Sequence, residues 1–213
     1  MVTFYSLHHQ TPQSRSVSSI CEALQRGAVM LYPTDTVYAI GCDLNNKTAI
    51  AKVRQLKQLS NDKPLTFLCS SLSNISEYAI VQDQAYRLMR RLIPGPYTFL
   101  LPATKLVPKL VMSPKRKTTG IRVPDNPICQ AILENLGNPI ISTSAHLPKQ
   151  DELSKLEKAE LFDIFDKLVD IIIDDDQDTG YQVSSILDLT NDQPQLVRKG
   201  LGAEELDNLL VFS

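Results

Sequence analysis

Apolar positions recur along the chain in two rhythms. Val17, Ile20, Cys21 and Leu24 repeat at helical spacing within 15–26, and Gly27 follows as a cap. An unbroken apolar run, 28–32, then predicts a buried strand, which Pro33 ends because proline cannot donate to a sheet ladder. Thr34, Asp35 and Thr36 come next. A second apolar run, 37–40, follows at once, with small Ala39 and Gly41 permitting close backbone approach. A polar cluster at the end of a buried strand is where α/β proteins tend to hold ligands. The same three residues also fit a turn in which Thr34 and Asp35 bond their own backbone.

The pattern continues downstream. A helix is predicted over 45–57, with Ile50, Val53, Leu56 and Lys57 on one side, then a polar loop at 58–63 and a strand at 64–69. A short helix at 72–80 and a basic-faced helix at 83–91 follow. Pro94-Gly95-Pro96 breaks the latter before a strand at 97–101. A basic connection, 102–119, with a short helix near 107–111, leads to a strand at 120–124. Pro127 opens and Gly137 closes a helix over 127–136. Then come a strand at 139–142, helical periodicity over 152–167, a strand at 169–173 and an acidic turn at 174–180. Paired strands at 184–189 and 195–198 flank Asn191-Asp192. Alternating helices and strands imply a layered α/β sheet. With no repeat and no linker, one domain spanning 1–213 is expected.

Composition adds exclusions. Of 213 residues, 43% are hydrophobic and 22% charged, an ordinary soluble balance. No apolar stretch approaches the roughly 20 residues that span a bilayer, so no membrane partner is expected. The N-terminus lacks a basic start and an apolar signal core, so a cytoplasmic location is expected. Cys21, Cys42, Cys69 and Cys129 are widely spaced and fit reduced core residues. His8, His9 and His146 lack metal-ligand spacing, so no structural zinc is expected. From Gln84 to Pro124 there are nine basic residues and no acidic one. That excess suits an anionic partner such as a nucleotide, pyrophosphate or RNA backbone, or else a solvated helix face and a lysine-rich loop.

Several predicted strands end in hydroxyl or basic groups: Thr34 and Thr36, Arg122, Ser142 and Ser144, Arg198. Collected on one side of a sheet, they suit a substrate carrying phosphate and carboxylate. Neither GxxxxGK[ST] nor GxGxxG is present, which excludes a P-loop or a dinucleotide fingerprint.

Five segments in order carry a family resemblance: YPTDTVYAIGCD at 32–43, KQLSNDKPLTFL at 57–68, PGPYTFLL at 94–101, TTGIRVPDNPI at 118–128 and STSAHLP at 142–148. SSILDLT at 184–190 and VRKG at 197–200 follow. Together they resemble the YrdC-like family, the L-threonylcarbamoyl-adenylate synthases of tRNA modification, over a core of about 16–202. RLMRRLIPGPYTFLL and SPKRKTTGIRVPDNPI are similar to its YciO-like branch. The resemblance implies a single α/β domain with a twisted, largely parallel sheet, flanking helices and a basic concave surface, in agreement with the charge excess.

It also implies threonine, bicarbonate and ATP as substrates, with Mg²⁺ as helper. Thr34 would lie at the threonine site with Tyr38 nearby. Arg122 would grip the amino-acid carboxylate, and Ser142 and Ser184 would hydrogen-bond the threonine. Lys57, Thr118, Ser144 and Arg198 would face the nucleotide phosphates, with Lys63 adding positive charge. Lys57 and Arg122 are the implied catalytic pair. The family's Lys-x-Arg and Ser-x-Asn signatures read Lys57-Gln58-Leu59 and Ser144-Ala145-His146 here, so a cation is missing and His146 replaces an amide beside the nucleotide. The implied alternative is a nucleotide- or double-stranded-RNA-binding protein with weak or no synthase activity. tRNA or double-stranded RNA is the further partner in prospect; the oligomeric state stays open.

Overall fold

The computed structural model describes residues 1–58, 64–73, 75–113, 115–146, 156–178 and 180–210, the side chains of 207–210 excepted. Lys63 and Leu59 lie outside the described residues. Among the described residues, one sheet of ten strands organises the fold. In sequence order its strands are β1 (Thr3–Ser6), β2 (Met30–Tyr32), β3 (Ala39–Asp43), β4 (Thr66–Leu68), β5 (Tyr97–Pro102), β6 (Thr118–Arg122), β7 (Ile140–Ser144), β8 (Ile171–Asp174), β9 (Ser185–Asp188) and β10 (Gln195–Arg198). Their spatial order is β1-β8-β2-β3-β7-β4-β6-β5-β9-β10.

The sheet is mixed, which corrects the expectation of a largely parallel one. Among the described residues, β1–β8, β2–β8, β4–β6 and β5–β9 pair in parallel, while β2–β3, β3–β7, β4–β7, β5–β6 and β9–β10 are antiparallel. The short links 33–38 and 189–194 account for two of the antiparallel pairs, β2–β3 and β9–β10. They are too brief for the crossover that a parallel neighbour needs.

Period-two alternation sends successive strand residues to opposite faces. Leu31, Ile40, Phe67, Phe99, Ile121, Ile141, Ile172 and Leu187 build one core. It is covered by α2 (Lys47–Leu56), α3 (Ile75–Tyr78), α4 (Asp83–Leu92) and α6 (Lys158–Phe165). Met30, Tyr32, Ala39, Leu68, Ile140, Ile171 and Ile173 build the other, under α1 (Ser14–Gln25) and α5 (Pro127–Leu136). Local chemistry fits these helices. Asn126 caps α5 by accepting from the Cys129 N–H at 2.9 Å, Pro127 opens it, and Gly137 ends it at φ +74°. The Asn46 side chain caps α2 from the Ala49 N–H at 3.0 Å.

Three elements differ from expectation. The stretch 107–111 forms turns rather than a helix. β1 and α7 (Ala203–Leu210) have no counterpart in the sequence reading. All four cysteines are free and buried, and burial pushes the thiols up, to about 11 in Cys21 and about 12 in Cys42 and Cys69. Among the described residues, no helix is long and apolar enough to cross a membrane.

Candidate functional site

On the face that α1 and α5 cover only in part, the strands from β3 to β10 enclose a cavity of about 200 Å³. Its wall carries Thr34, Thr36, Arg122, Ser142, Ser144 and Arg198, the strand-end groups singled out in the sequence, together with Ser184. Thr66, Thr98 and Thr143 also line it, and sequence reasoning missed them. The signal was there for Thr66 and Thr98: each is the polar residue of an alternating strand. No aspartate or glutamate is among the described lining residues.

The turn at 34–36 forms one corner. Thr34 Oγ1 donates to the Val37 carbonyl at 2.7 Å and accepts from the Thr36 N–H at 3.1 Å. It also lies 3.0 Å from Thr36 Oγ1, which in turn accepts from Arg122 Nη2 at 3.0 Å. With the Thr36 hydroxyl donating to it, the Thr34 hydroxyl has its hydrogen and both lone pairs in use. Thr34 thus lines the cavity, but its hydroxyl is occupied in the turn, so the turn reading of Thr34-Asp35-Thr36 holds alongside the site reading.

Arg122, at the end of β6, stands at this corner. Its Nη2 donates to Asp35 Oδ1 at 2.6 Å as well as to Thr36, so both Nη2 hydrogens are committed. Nε is buried without a partner, as is Asp35 Oδ2. Nη1 is the donor left to face the cavity. The two-nitrogen carboxylate grip implied by the resemblance is therefore unavailable while Asp35 holds the guanidinium.

Toward β9 and β10, the Ser184 hydroxyl meets Thr98 Oγ1 at 3.0 Å and accepts from Arg198 Nη2 at 3.1 Å. Arg198 also clamps the Ser184 carbonyl through Nε and Nη2, at 3.0 and 2.7 Å. A bulge brings it there. Leu196 pairs with Leu187 on the apolar face, but the register shifts before Arg198, which pairs with Ile186 on the cavity face. Strict alternation from Leu196 would have sent Arg198 into the core side. Burial and the nearby Arg122 pull the Arg198 guanidinium below its ordinary value. Ser142 is supported from beneath by Tyr32, hydroxyl to hydroxyl at 2.5 Å.

Several implied residues sit elsewhere. Tyr38 does not line the cavity, because alternation turns it to the other face, where its ring packs edge-on to Phe162 at 5.5 Å. Thr118 shares a face with Arg122 but lies four residues back along β6 and does not reach the wall. Lys57 caps the C-terminus of α2, and its ammonium donates to the carbonyls of Ser144, at 2.9 Å, and of His146. It braces the end of β7 from outside the lining. His146 is half-buried beside it. Burial, Lys57 and Arg198 together hold its imidazole below the usual range.

Among the described residues, the cavity wall draws its cations from Arg122 and Arg198. Of the nine basic residues between Gln84 and Pro124, Arg122 is the one on the cavity wall among the described residues. Arg87, Arg90 and Arg91 ride on α4, across the sheet from the cavity.

Fold and cavity define an α/β protein that presents hydroxyls and guanidinium groups from the ends of its strands. The chain belongs to the Sua5/YciO/YrdC family, whose model, described as "Telomere recombination", matches residues 22–200. It is 41% identical to YciO of Escherichia coli (strain K12) over 202 residues, 95% of this chain and 97% of that protein. The crystal structure of E. coli YciO matches with a TM-score of 0.88 over the same shares. A threonylcarbamoyl-AMP synthase of Vibrio vulnificus (strain YJ016) is 30% identical over 188 residues, 87% of this chain and 98% of that protein. P. abyssi Sua5 complexed with L-threonine matches with a TM-score of 0.87 at 24% identity, covering 98% of this chain and 61% of that one, a likeness of fold.

Proposed function

We propose that the cavity binds threonine and ATP, and that the chain joins threonine, bicarbonate and ATP into threonylcarbamoyl-adenylate for tRNA adenosine modification. The carrying observation is a hydroxyl-rich cavity with both Arg122 and Arg198 on its wall and no carboxylate in its described lining. Identity of 30% to a protein named threonylcarbamoyl-AMP synthase supports the same reading.

In this reading the threonine carboxylate takes Arg122 Nη1, while Ser142 and Ser184 bind the rest of the amino acid. The amine and bicarbonate form a carbamate with loss of water. A carbamate oxygen then attacks the α-phosphorus in line, the bond to the bridging oxygen breaks, and pyrophosphate leaves toward Arg198. The protein contributes positioning and charge neutralisation. The described lining holds no carboxylate, so Mg²⁺ would be held by the phosphates of ATP and would neutralise part of their charge. Lys57 braces Ser144 and His146, a positioning role.

A second reading, nucleotide or double-stranded RNA binding with little chemistry, draws on the three α4 arginines, which make no ion pair among the described residues. One assay separates the two. Protein, labelled bicarbonate, threonine and ATP with Mg²⁺ are expected to release pyrophosphate only when threonine is present. ATP binding without threonine-dependent product at high protein concentration would overturn the synthase reading in favour of the second.

A further inference from the structure

The Asp35–Arg122 pair is the most buried ion pair among the described residues, with side chains 10% and 9% exposed. It is poorly built as a stabilising device. Asp35 Oδ2 and Arg122 Nε are both buried without hydrogen-bond partners. Buried ion pairs gain stability only where the remaining donors and acceptors are satisfied. The arrangement makes sense through its effect on the one nitrogen that faces the cavity.

The geometry points to Asp35 as a positioning residue that offsets the charge of Arg122. The β6 end of the cavity then presents an N–H donor with much of its charge offset, and the larger share of the cavity's positive charge sits at Arg198. At 2.6 Å the two charges act on the cavity as a dipole, whose field falls off faster than that of a lone cation. The turn keeps Asp35 in place: Thr34 closes it through Val37 and the Thr36 N–H, and Thr36 shares Nη2 with Asp35. The consequence is direction. A phosphate gains most at Arg198, whereas the Arg122 corner suits a group whose own charge is already balanced, such as an amino-acid zwitterion. This rests on the reading of the cavity as a ligand site, and not on the synthase chemistry.

Calorimetric titration with inorganic pyrophosphate at low salt tests it. Asp35→Asn keeps an acceptor for Nη2 and removes the charge. An opposite charge within about 4–6 Å typically shifts an ionic equilibrium by one to three powers of ten, so the variant is expected to bind pyrophosphate about tenfold tighter or more. Asp35→Asn/Arg122→Gln removes both charges and is expected to match the wild type. Pyrophosphate binding by Asp35→Asn no tighter than the wild type, or as tight in the double variant as in the single, overturns the proposal. If Asp35→Asn does not fold, the double variant is compared with Arg122→Gln, which bares the aspartate. Arg122→Gln is then expected to bind about tenfold more weakly, and equal binding contradicts the idea. No threonine or turnover enters this readout, so a missing synthase activity leaves the test intact.

Discussion

Arg122 meets the cavity through Nη1 because Asp35 and Thr36 hold both hydrogens of Nη2. That arrangement could not be read from TTGIRVPDNPI, where Arg122 is simply a cation at a strand end. Its partner lies 87 residues earlier in the chain. Thr34 teaches the same lesson from the other side. The two local readings, turn and site, are compatible because one hydroxyl closes the turn while the residue borders the cavity. Thr34→Val should therefore act first on stability. Losing a hydroxyl that satisfies a carbonyl and an amide costs about 1–2 kcal/mol, read by urea denaturation. Threonine affinity should fall far less than in Arg122→Ala, and an equal loss in both would restore Thr34 as a direct ligand. His146 carries a pH signature. Its folded value lies below the ordinary one of about 6.5, so the unfolded chain binds the proton more tightly. Stability is full above about 6.5 and declines as pH falls below it, until His146 is protonated in both states. In His146→Asn that decline is removed. The Tm difference from the wild type should move in the variant's favour between about pH 7.5 and about pH 5; a constant difference would contradict the assignment.

Among the elements, local signals and tertiary pairing divide cleanly. α5 runs over Pro127–Leu136 as expected, since Pro127, Asn126 and Gly137 mark both ends in the sequence itself. β1 went unread because Thr3–Ser6 is mostly exposed and becomes a strand through β8, some 165 residues away. The mixed sheet and the bulge at Val197 are also matters of pairing. The bulge has the larger consequence, because it sends Arg198 to the cavity face. A second element-level contact joins the segment 180–184 to the turn at 34–36. A Cβ added at Gly180 would overlap the Thr36 carbonyl oxygen. The same segment continues into Val183 and Ser184 on the cavity wall. Gly180→Ala must push the two apart. An overpacking cost of about 1–3 kcal/mol is expected in urea denaturation, with weaker binding of any ligand that spans Thr36 and Ser184. Unchanged stability and affinity would mean that the segment yields freely and is no fixed wall.

Across the whole molecule, the helices are placed unevenly over the sheet. Among the described residues, α2, α3, α4, α6 and, through Leu206, α7 cover one face, while α1 and α5 cover only the β8–β2–β3–β7–β4 side of the other. The uncovered strands leave the concavity, whose wall carries threonine, serine and arginine among apolar residues such as Leu68 and Ile186. This is why the strand-end pattern was legible: a half-covered face must be polar where no helix rests on it. The basic run between Gln84 and Pro124 was misleading for the same reason of placement. Sequence proximity grouped Arg87, Arg90 and Arg91 with Arg122, but the sheet separates them. The molecule therefore has a hydroxyl-lined cavity on one face and a cationic helix on the other.

The reading of the cavity as a threonine and ATP site that releases pyrophosphate stands or falls on turnover. Threonine-dependent pyrophosphate release by the purified chain measures it most directly, run beside Arg198→Ala. Release is expected to require threonine and bicarbonate together and to fall at least about tenfold in the variant, as expected for removing one cation from a leaving group's path. Release that proceeds without threonine, or that is untouched by the loss of Arg198, would contradict that reading.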